Sequence, residues 1–278
     1  MKLLLILLFL SLTCIGCENK NTNTSHEHPT ASDKKSILVG KFIDLTHNYS
    51  EESIYWVTAK EFKLDTVAYG ETDMGYFYSA NNFETAEHGG THIDAPIHFV
   101  ANAASVDEIP LTRLIGRGIK IDVSEKASQD RDYLISVEDF TNWEKENGTI
   151  PDGAIVLLET GFHKFYPNKK EYLGTDERGE EAVQKLHFPG LSPEAAKWLV
   201  ANRNISSIGL DTASIDYGQS TDFQSHVILL SENIAVFENV ANLDQLPIKD
   251  FYILALPMKI EGGSGGPLRI VAVVYDDE

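Results

Sequence analysis

Cysteine is nearly absent from this chain: of 278 residues only Cys14 and Cys17 carry a thiol. Both stand at the end of an apolar N-terminal run, so the body has no pair to bridge and no thiolate metal ligand. Any metal site there must be built from His, Asp and Glu. Positive charge is scarce as well, with 23 Lys and Arg against 42 Asp and Glu and a net charge of −19. That balance argues against an electrostatic grip on nucleic acid or on anionic lipid, and predicts a soluble, self-repelling surface. The single long apolar run falls short of the roughly 18 residues that a membrane-spanning helix needs. No internal repeat and no linker interrupt residues 37–278. The Gly-rich stretch "EGGSGGP" (261–267) lacks the Lys-Ser/Thr of a phosphate loop, and reads as a turn before the last strand that could approach the substrate.

What is present divides the chain in three. Residues 1–16, "MKLLLILLFLSLTCIG", have one lysine ahead of an apolar core, the pattern of a signal peptide. The following "CIGC" resembles the lipobox of bacterial lipoproteins, with Cys17 as the lipidated residue and an extracytoplasmic, membrane-anchored location implied. Residues 17–36 continue as "CENKNTNTSHEHPTASDKKS", too poor in apolar side chains to offset the entropy of ordering, and read as a tether. His26 and His28 belong to that tether. A single domain is expected over 37–278.

In the body, short β-branched runs read as strands: "IKIDV" (119–123), "AIVLL" (154–158), "ISSIGL" (205–210), "IAVFE" (234–238), "FYILAL" (251–256) and "LRIVAVVY" (268–275). Their continuous apolar character predicts central strands buried on both faces. Ser192-Pro193 predicts a helix start, the cap followed by proline at the first helical position, and Ser136 with Asp139 predicts a capping box. The fold class is therefore mixed α/β.

The chemistry gathers in "EHGGTHIDAPIHF", residues 87–99. Gly89, Gly90, Thr91 and Pro96 all oppose a helix. In extended backbone His92 and Asp94, two apart, point the same way, and the paired glycines let the chain turn so that His88 reaches the same point. Two histidines and an aspartate without cysteine suit a borderline-hard divalent ion. Further along, His226 and Glu238 are candidate additional donors. Glu238 ends an apolar strand, where a carboxylate is costly unless paired or coordinating, although it could also face solvent there. Asp211, Ser214 and Asp216 follow a buried strand in "GLDTASID"; Asp211 is a candidate to orient a ligand histidine, the alternative being a polar turn. Tyr55, Trp56, Phe99 and Phe162 are candidates to stack on an aryl substrate or simply to pack the core.

"HGGTHIDAPIHF" resembles the H-x-G-T-H-x-D-x-P-x-H signature of the metal-dependent cyclase family, which includes bacterial kynurenine formamidase and isatin hydrolase. The resemblance continues through "DLTHNYSEESIYW" (44–56), "LIGRGIKIDVS" (114–124), "LLETGF" (157–162), "GLDTASID" (209–216), "HVILLSENIAVFENVANL" (226–243) and "GSGGPLRIVAVV" (263–274). It implies that His88, His92, Asp94, His226 and Glu238 are metal ligands and that His98 is the catalytic acid/base. It also implies a swivelling β/β/α domain with mixed central strands and outer helices, and a homodimer or homotetramer. Glu238 is Glu where isatin-hydrolase-like members have Gln, which tilts the expectation toward zinc, one or two ions, rather than manganese. The expected function is hydrolysis of an amide bond, as in an aryl formamide such as N-formylkynurenine. The alternatives are an isatin-type lactam hydrolase and a non-catalytic metal-binding surface lipoprotein.

Overall fold

The computed structural model describes residues 39–275. The expected signal peptide (1–16), Cys17 and the tether (17–36) lie outside the described residues.

Among the described residues twelve strands are formed: β1 (Lys41–Asp44), β2 (Lys63–Glu71), β3 (Phe77–Glu84), β4 (His92–Asp94), β5 (Ile115–Asp122), β6 (Leu134–Ile135), β7 (Ile155–Glu159), β8 (Gly190–Leu191), β9 (Ser207–Leu210), β10 (Ala235–Glu238), β11 (Phe251–Pro257) and β12 (Gly265–Val274). Eight of them make one mixed sheet in the order β1-β12-β11-β5-β7-β9-β10-β4. Strands β5, β7, β9 and β10 are parallel, and the remaining pairings are antiparallel. Because β4 also pairs with β12, the sheet closes on itself.

Closure explains why the parallel strands carry apolar residues on both faces. On β7, Ile155 and Leu157 point into the ring with Ile93, Phe237, Ile253 and Ile270. The alternate residues Val156 and Leu158 point outward and pack with Ile119 and Ile121 of β5, Phe140, Trp143 and Leu199. Phe140 and Trp143 belong to the helix Val137–Asn147, and Leu199 to the helix Pro193–Asn202. Both helices start where the caps predict. The Ser192 hydroxyl accepts from the Ala195 N–H, with proline in the first turn. Asp139 accepts from the backbone N–H (2.7 Å) and hydroxyl (2.9 Å) of Ser136.

Strands β2 and β3 form a separate two-stranded hairpin that sequence reasoning did not anticipate. Its strands, KLDTVAYGE and FYSANNFE, mix aromatic and β-branched residues with polar ones and form neither a long apolar run nor a regular alternation. Its roots lie beside the functional segment: Tyr55 and Thr85 share a hydroxyl–hydroxyl contact, Lys60 pairs with Glu84, and Ala86 N–H donates to the Lys60 carbonyl at 3.3 Å. No helix among the described residues is long and apolar enough to cross a membrane.

Candidate metal centre and catalytic pocket

Strand register brings the site together. In β4, His92 and Asp94 face the same side, and Glu238 of β10 lies directly across from His92. The Glu238 Oε2 consequently sits 3.3 Å from His92 Nε2. His88 arrives through the turn at Gly89-Gly90. Gly90 is left-handed (φ 57°), and a Cβ on Gly89 would run into the Tyr55 ring. From the other side comes His226, in the first turn of the helix Gln224–Ser231. Its Nε2 lies 3.1 Å from Asp94 Oδ2 and 3.1 Å from Glu238 Oε1.

These five side chains form two overlapping clusters of donor atoms, His88–His92–Asp94 and Asp94–His226–Glu238. Asp94 belongs to both: Oδ1 faces His88 Nδ1 at 2.6 Å and His92 Nε2 at 3.4 Å, while Oδ2 faces His226. The outer nitrogens of two rings are tied to groups that only accept, so those nitrogens carry the protons. His92 Nδ1 donates to the Gly90 carbonyl at 2.9 Å and His226 Nδ1 to Asp216 Oδ2 at 2.6 Å. The inner nitrogens converge on carboxylate oxygens, an arrangement that needs either protons or a cation between them. Without a cation, protons serve. Burial lowers the His92 pKa, but hydrogen bonds to Asp94 and Glu238 outweigh it and raise the pKa to about 10. His226 is raised well above its ordinary value by Asp216, Asp94 and Glu238 against the same burial. Asp94 is held well below the carboxylate range despite burial, by His88 and His226. A divalent ion would displace the inner protons and meet oriented imidazoles and carboxylates. The donor set therefore fits a hard or borderline divalent metal.

His98 belongs to neither cluster. Pro96 opens a short 3-10 turn, Pro96–His98, that swings this ring back over the site. It stacks on His88 with ring centroids 3.8 Å apart and lies 6.0 Å from the His226 ring. Burial first, then the neighbouring His88 and His226, pull its pKa down to about 4 against the attraction of Asp94, so it is neutral near pH 7.

Asp211 does not orient a ligand histidine. Its oxygens accept from Thr160 N–H (2.8 Å) and hydroxyl (2.7 Å), Gly161 N–H (2.9 Å) and His163 Nδ1 (2.8 Å), away from the clusters. The carboxylate that holds His226 is Asp216, which also accepts from the Ser225 (3.0 Å) and His226 (3.1 Å) amides at the helix start. One side chain thus satisfies orphan helix N–H groups and fixes the ring. Both aspartates sit in one six-residue stretch, and sequence alone does not say which faces His226.

Over the clusters lies a cavity of about 290 Å³, walled by Trp56, Phe99, Ala213, Ser214, Phe223 and Asn239 above the donor residues and His98. Trp56, Phe99 and Ser214 line this cavity, whereas Tyr55 and Phe162 are buried in packing. Phe223 was not foreseen. It adopts a left-handed backbone (φ 49°), uncommon for a bulky residue, within ring contact of Trp56 and Phe99.

The profile of the Cyclase family ("Putative cyclase") matches residues 43–217. The chain is 32% identical over 208 residues to isatin hydrolase of Roseibium aggregatum, covering 72% of this chain and 76% of that one. It is 26% identical over 229 residues to kynurenine formamidase of Salinibacter ruber, covering 82% and 95%. The structure of isatin hydrolase A from Ralstonia solanacearum superposes with a TM-score of 0.77 at 32% identity, over 84% of this chain and 92% of that one. Sequence, fold and the placement of the signature residues agree: this chain belongs to the Cyclase family.

Proposed function

We propose that the protein is a metal-dependent amidohydrolase whose ligands are His88, His92, Asp94, His226 and Glu238. The observation that carries this reading is a non-ligand histidine stacked over convergent metal donors at the floor of an aromatic-walled cavity. A carrier of metal needs the donors but has no use for His98. A divalent ion held there would supply Lewis-acid polarisation of a carbonyl and make water more acidic. His98, neutral and within the cavity, takes the proton as water oxygen bonds to the carbonyl carbon. It then delivers that proton to the nitrogen as the C–N bond breaks, leaving an amine and a carboxylic acid, which releases the second proton of the water to solvent and becomes a carboxylate. Trp56, Phe99 and Phe223 would hold a flat substrate over the donors.

The substrate class is an aryl formamide or a fused lactam. The greater identity to isatin hydrolase supports the lactam, and Glu238 in the fifth donor position supports the formamidase branch. Zinc is favoured over manganese, and two ions are favoured by the way Asp94 contacts three histidines and Glu238 two. We place the enzyme outside the cytoplasm, anchored through Cys17, on the apolar run and "CIGC" of residues 1–17.

A homodimer or larger homo-oligomer is proposed on the exposed hairpin. Its cross-strand pairs put Leu64, Tyr69, Phe77 and Phe83 on one face and Lys63, Asp65, Asn82 and Glu84 on the other. Tyr69 is 78% exposed, and Met74 at the turn 83%. With Val67 and Tyr76 these side chains leave on the order of 1,000 Å² uncovered, given ~150–250 Å² per whole aromatic. That matches the ~800 Å² or more that each side of a stable association buries.

The test is the full chain stripped of metal and reloaded separately with Zn and Mn. Turnover of N-formylkynurenine and of isatin is followed by absorbance. Metal-dependent hydrolysis of one of them is expected, with His98→Ala keeping metal occupancy and losing ~10²–10⁴-fold in rate. Full occupancy with no turnover of any amide, lactam or lactone offered would sink the enzyme reading in favour of a metal-binding lipoprotein.

A further inference from the structure

The Gly-rich stretch 261–267 does more than turn the chain. Its C-terminal half is the start of β12, where Gly265 pairs with Asp94 and Pro267 with His92, so it runs alongside the strand that carries two proposed ligands. The glycines let it come that close. A Cβ on Gly265 would collide with the Ile93 carbonyl and the His88 ring, and one on Gly263 would press on the Glu87 carboxylate. Between them Ser264 is fixed by its backbone: its carbonyl accepts from Ala95 N–H at 2.9 Å, and its N–H donates to Glu87 Oε2 at 3.1 Å.

The Ser264 hydroxyl has a single proton and two neighbours. Glu87 Oε2 lies at 2.6 Å and His88 Nε2 at 2.8 Å. The carboxylate can only accept, so the hydroxyl donates to Glu87 and its oxygen is left to accept from His88. His88 Nε2 must therefore carry a proton, and Nδ1, which is 2.6 Å from Asp94 Oδ1, is the nitrogen free to meet a cation.

We propose that Glu87 and Ser264 are a positioning pair that locks the His88 ring with Nε2 protonated and Nδ1 turned to the metal. The proposal rests on the metal-ligand reading above but not on hydrolysis. His92 and His226 each reach one acceptor directly, a carbonyl and a carboxylate; His88 reaches its carboxylate only through a hydroxyl. Because His98 stacks on His88, the pair also sets the seat of the acid/base ring. A hydroxyl on a tight loop beside a carboxylate is otherwise an ordinary local hydrogen bond, so the experiment must read the ring and not only the fold.

Zinc affinity of the full chain is measured by competition with a chromophoric chelator for wild type, Ser264→Ala, Ser264→Thr, Glu87→Gln and Glu87→Ala. The tautomer of His88 is read from long-range ¹H–¹⁵N correlations. Loss of ~10–100-fold in affinity is expected for Ser264→Ala and Glu87→Ala, the range for groups that orient metal ligands. A smaller loss is expected for Glu87→Gln, whose amide oxygen can still accept, and Ser264→Thr should restore near-wild-type binding. The wild-type His88 should show a protonated Nε2. Unchanged affinity in Ser264→Ala, or a proton on Nδ1 with Nε2 facing zinc, would overturn the proposal. A chain that binds zinc with the expected tautomer yet hydrolyses nothing would sink the proposed activity and leave this inference standing.

Discussion

At the level of single side chains, Asp94 is the hinge of the site. It is fully buried on a three-residue strand and touches three imidazoles, two through one oxygen and one through the other. A buried carboxylate without compensation costs several kcal/mol, so its surroundings must supply positive charge at all times, as protons or as metal. The same reasoning ranks the residue behind His226. Asp216→Ala frees that ring and leaves two helix amides without an acceptor. We expect metal affinity to fall ~10–100-fold, with the melting temperature of the metal-free chain also reduced. Asp211→Ala removes five hydrogen bonds around Thr160, Gly161 and His163. It should destabilise the fold while leaving the affinity of properly folded molecules close to wild type. Chelator competition and denaturant titration on the two variants separate these roles, and equal loss of affinity in both would contradict the assignment.

Among the elements, the helix Val137–Asn147 shows how local chemistry sets stability. Asp139 accepts from Ser136, from the Tyr133 hydroxyl at 2.8 Å and from Lys126. Burial raises its pKa, but Lys126, Ser136 and Tyr133 outweigh it and hold the carboxyl below its ordinary 3.8. A depressed folded-state pKa means that the contribution is complete above pH 3.8 and disappears as pH falls through the lower, folded value. Asp139→Ala should therefore cost ~1–2 kcal/mol at neutral pH, the scale of a lost cap. The gap from wild type should narrow below pH 3.8. Urea titrations at pH 7, 5 and 3 check this, and a gap that widened toward acid would refute it. The hairpin β2–β3 is the opposite case, an element whose stability is not local. Two strands alone are marginal in water, and this pair keeps its apolar face exposed.

For the whole molecule, closure of the sheet and association of copies follow from the same need to cover apolar surface and strand edges. The ring β12-β11-β5-β7-β9-β10-β4 leaves β1 as its outer strand, and outside it stand the hairpin β2–β3 and the short parallel pair β6–β8. We expect the full chain to sediment as a dimer or larger species at micromolar concentration. Leu64→Lys, Tyr69→Lys and Phe77→Lys together should convert it to a monomer that still binds zinc. A wild-type monomer, or a triple variant that stays associated, would remove the hairpin as the interface.

Local chemistry made much of this protein legible from its sequence. The caps at Ser192 and Ser136, the apolar strands and the turn that delivers His88, His92 and Asp94 all depend on interactions spanning a few residues, and such interactions are written in spacing. His226 and Glu238 were legible only as isolated oddities. What joined them to Asp94 is register, Glu238 across from His92 and a helix start seated against β4, which depends on pairings made over more than a hundred residues. The roles of Asp216 and Asp211 were interchangeable on paper, since both are acids in one loop, and the path of that loop decided between them. Ser264, Glu87 and Phe223 gave no usable signal, because a hydroxyl, an acid or an aromatic acquires a role only from what folds beside it. Sequence by itself determined the segment that carries His88, His92 and Asp94 and the class of fold; the tertiary structure alone decided which acid holds which ring, because orientation is fixed by contacts between segments and not within them.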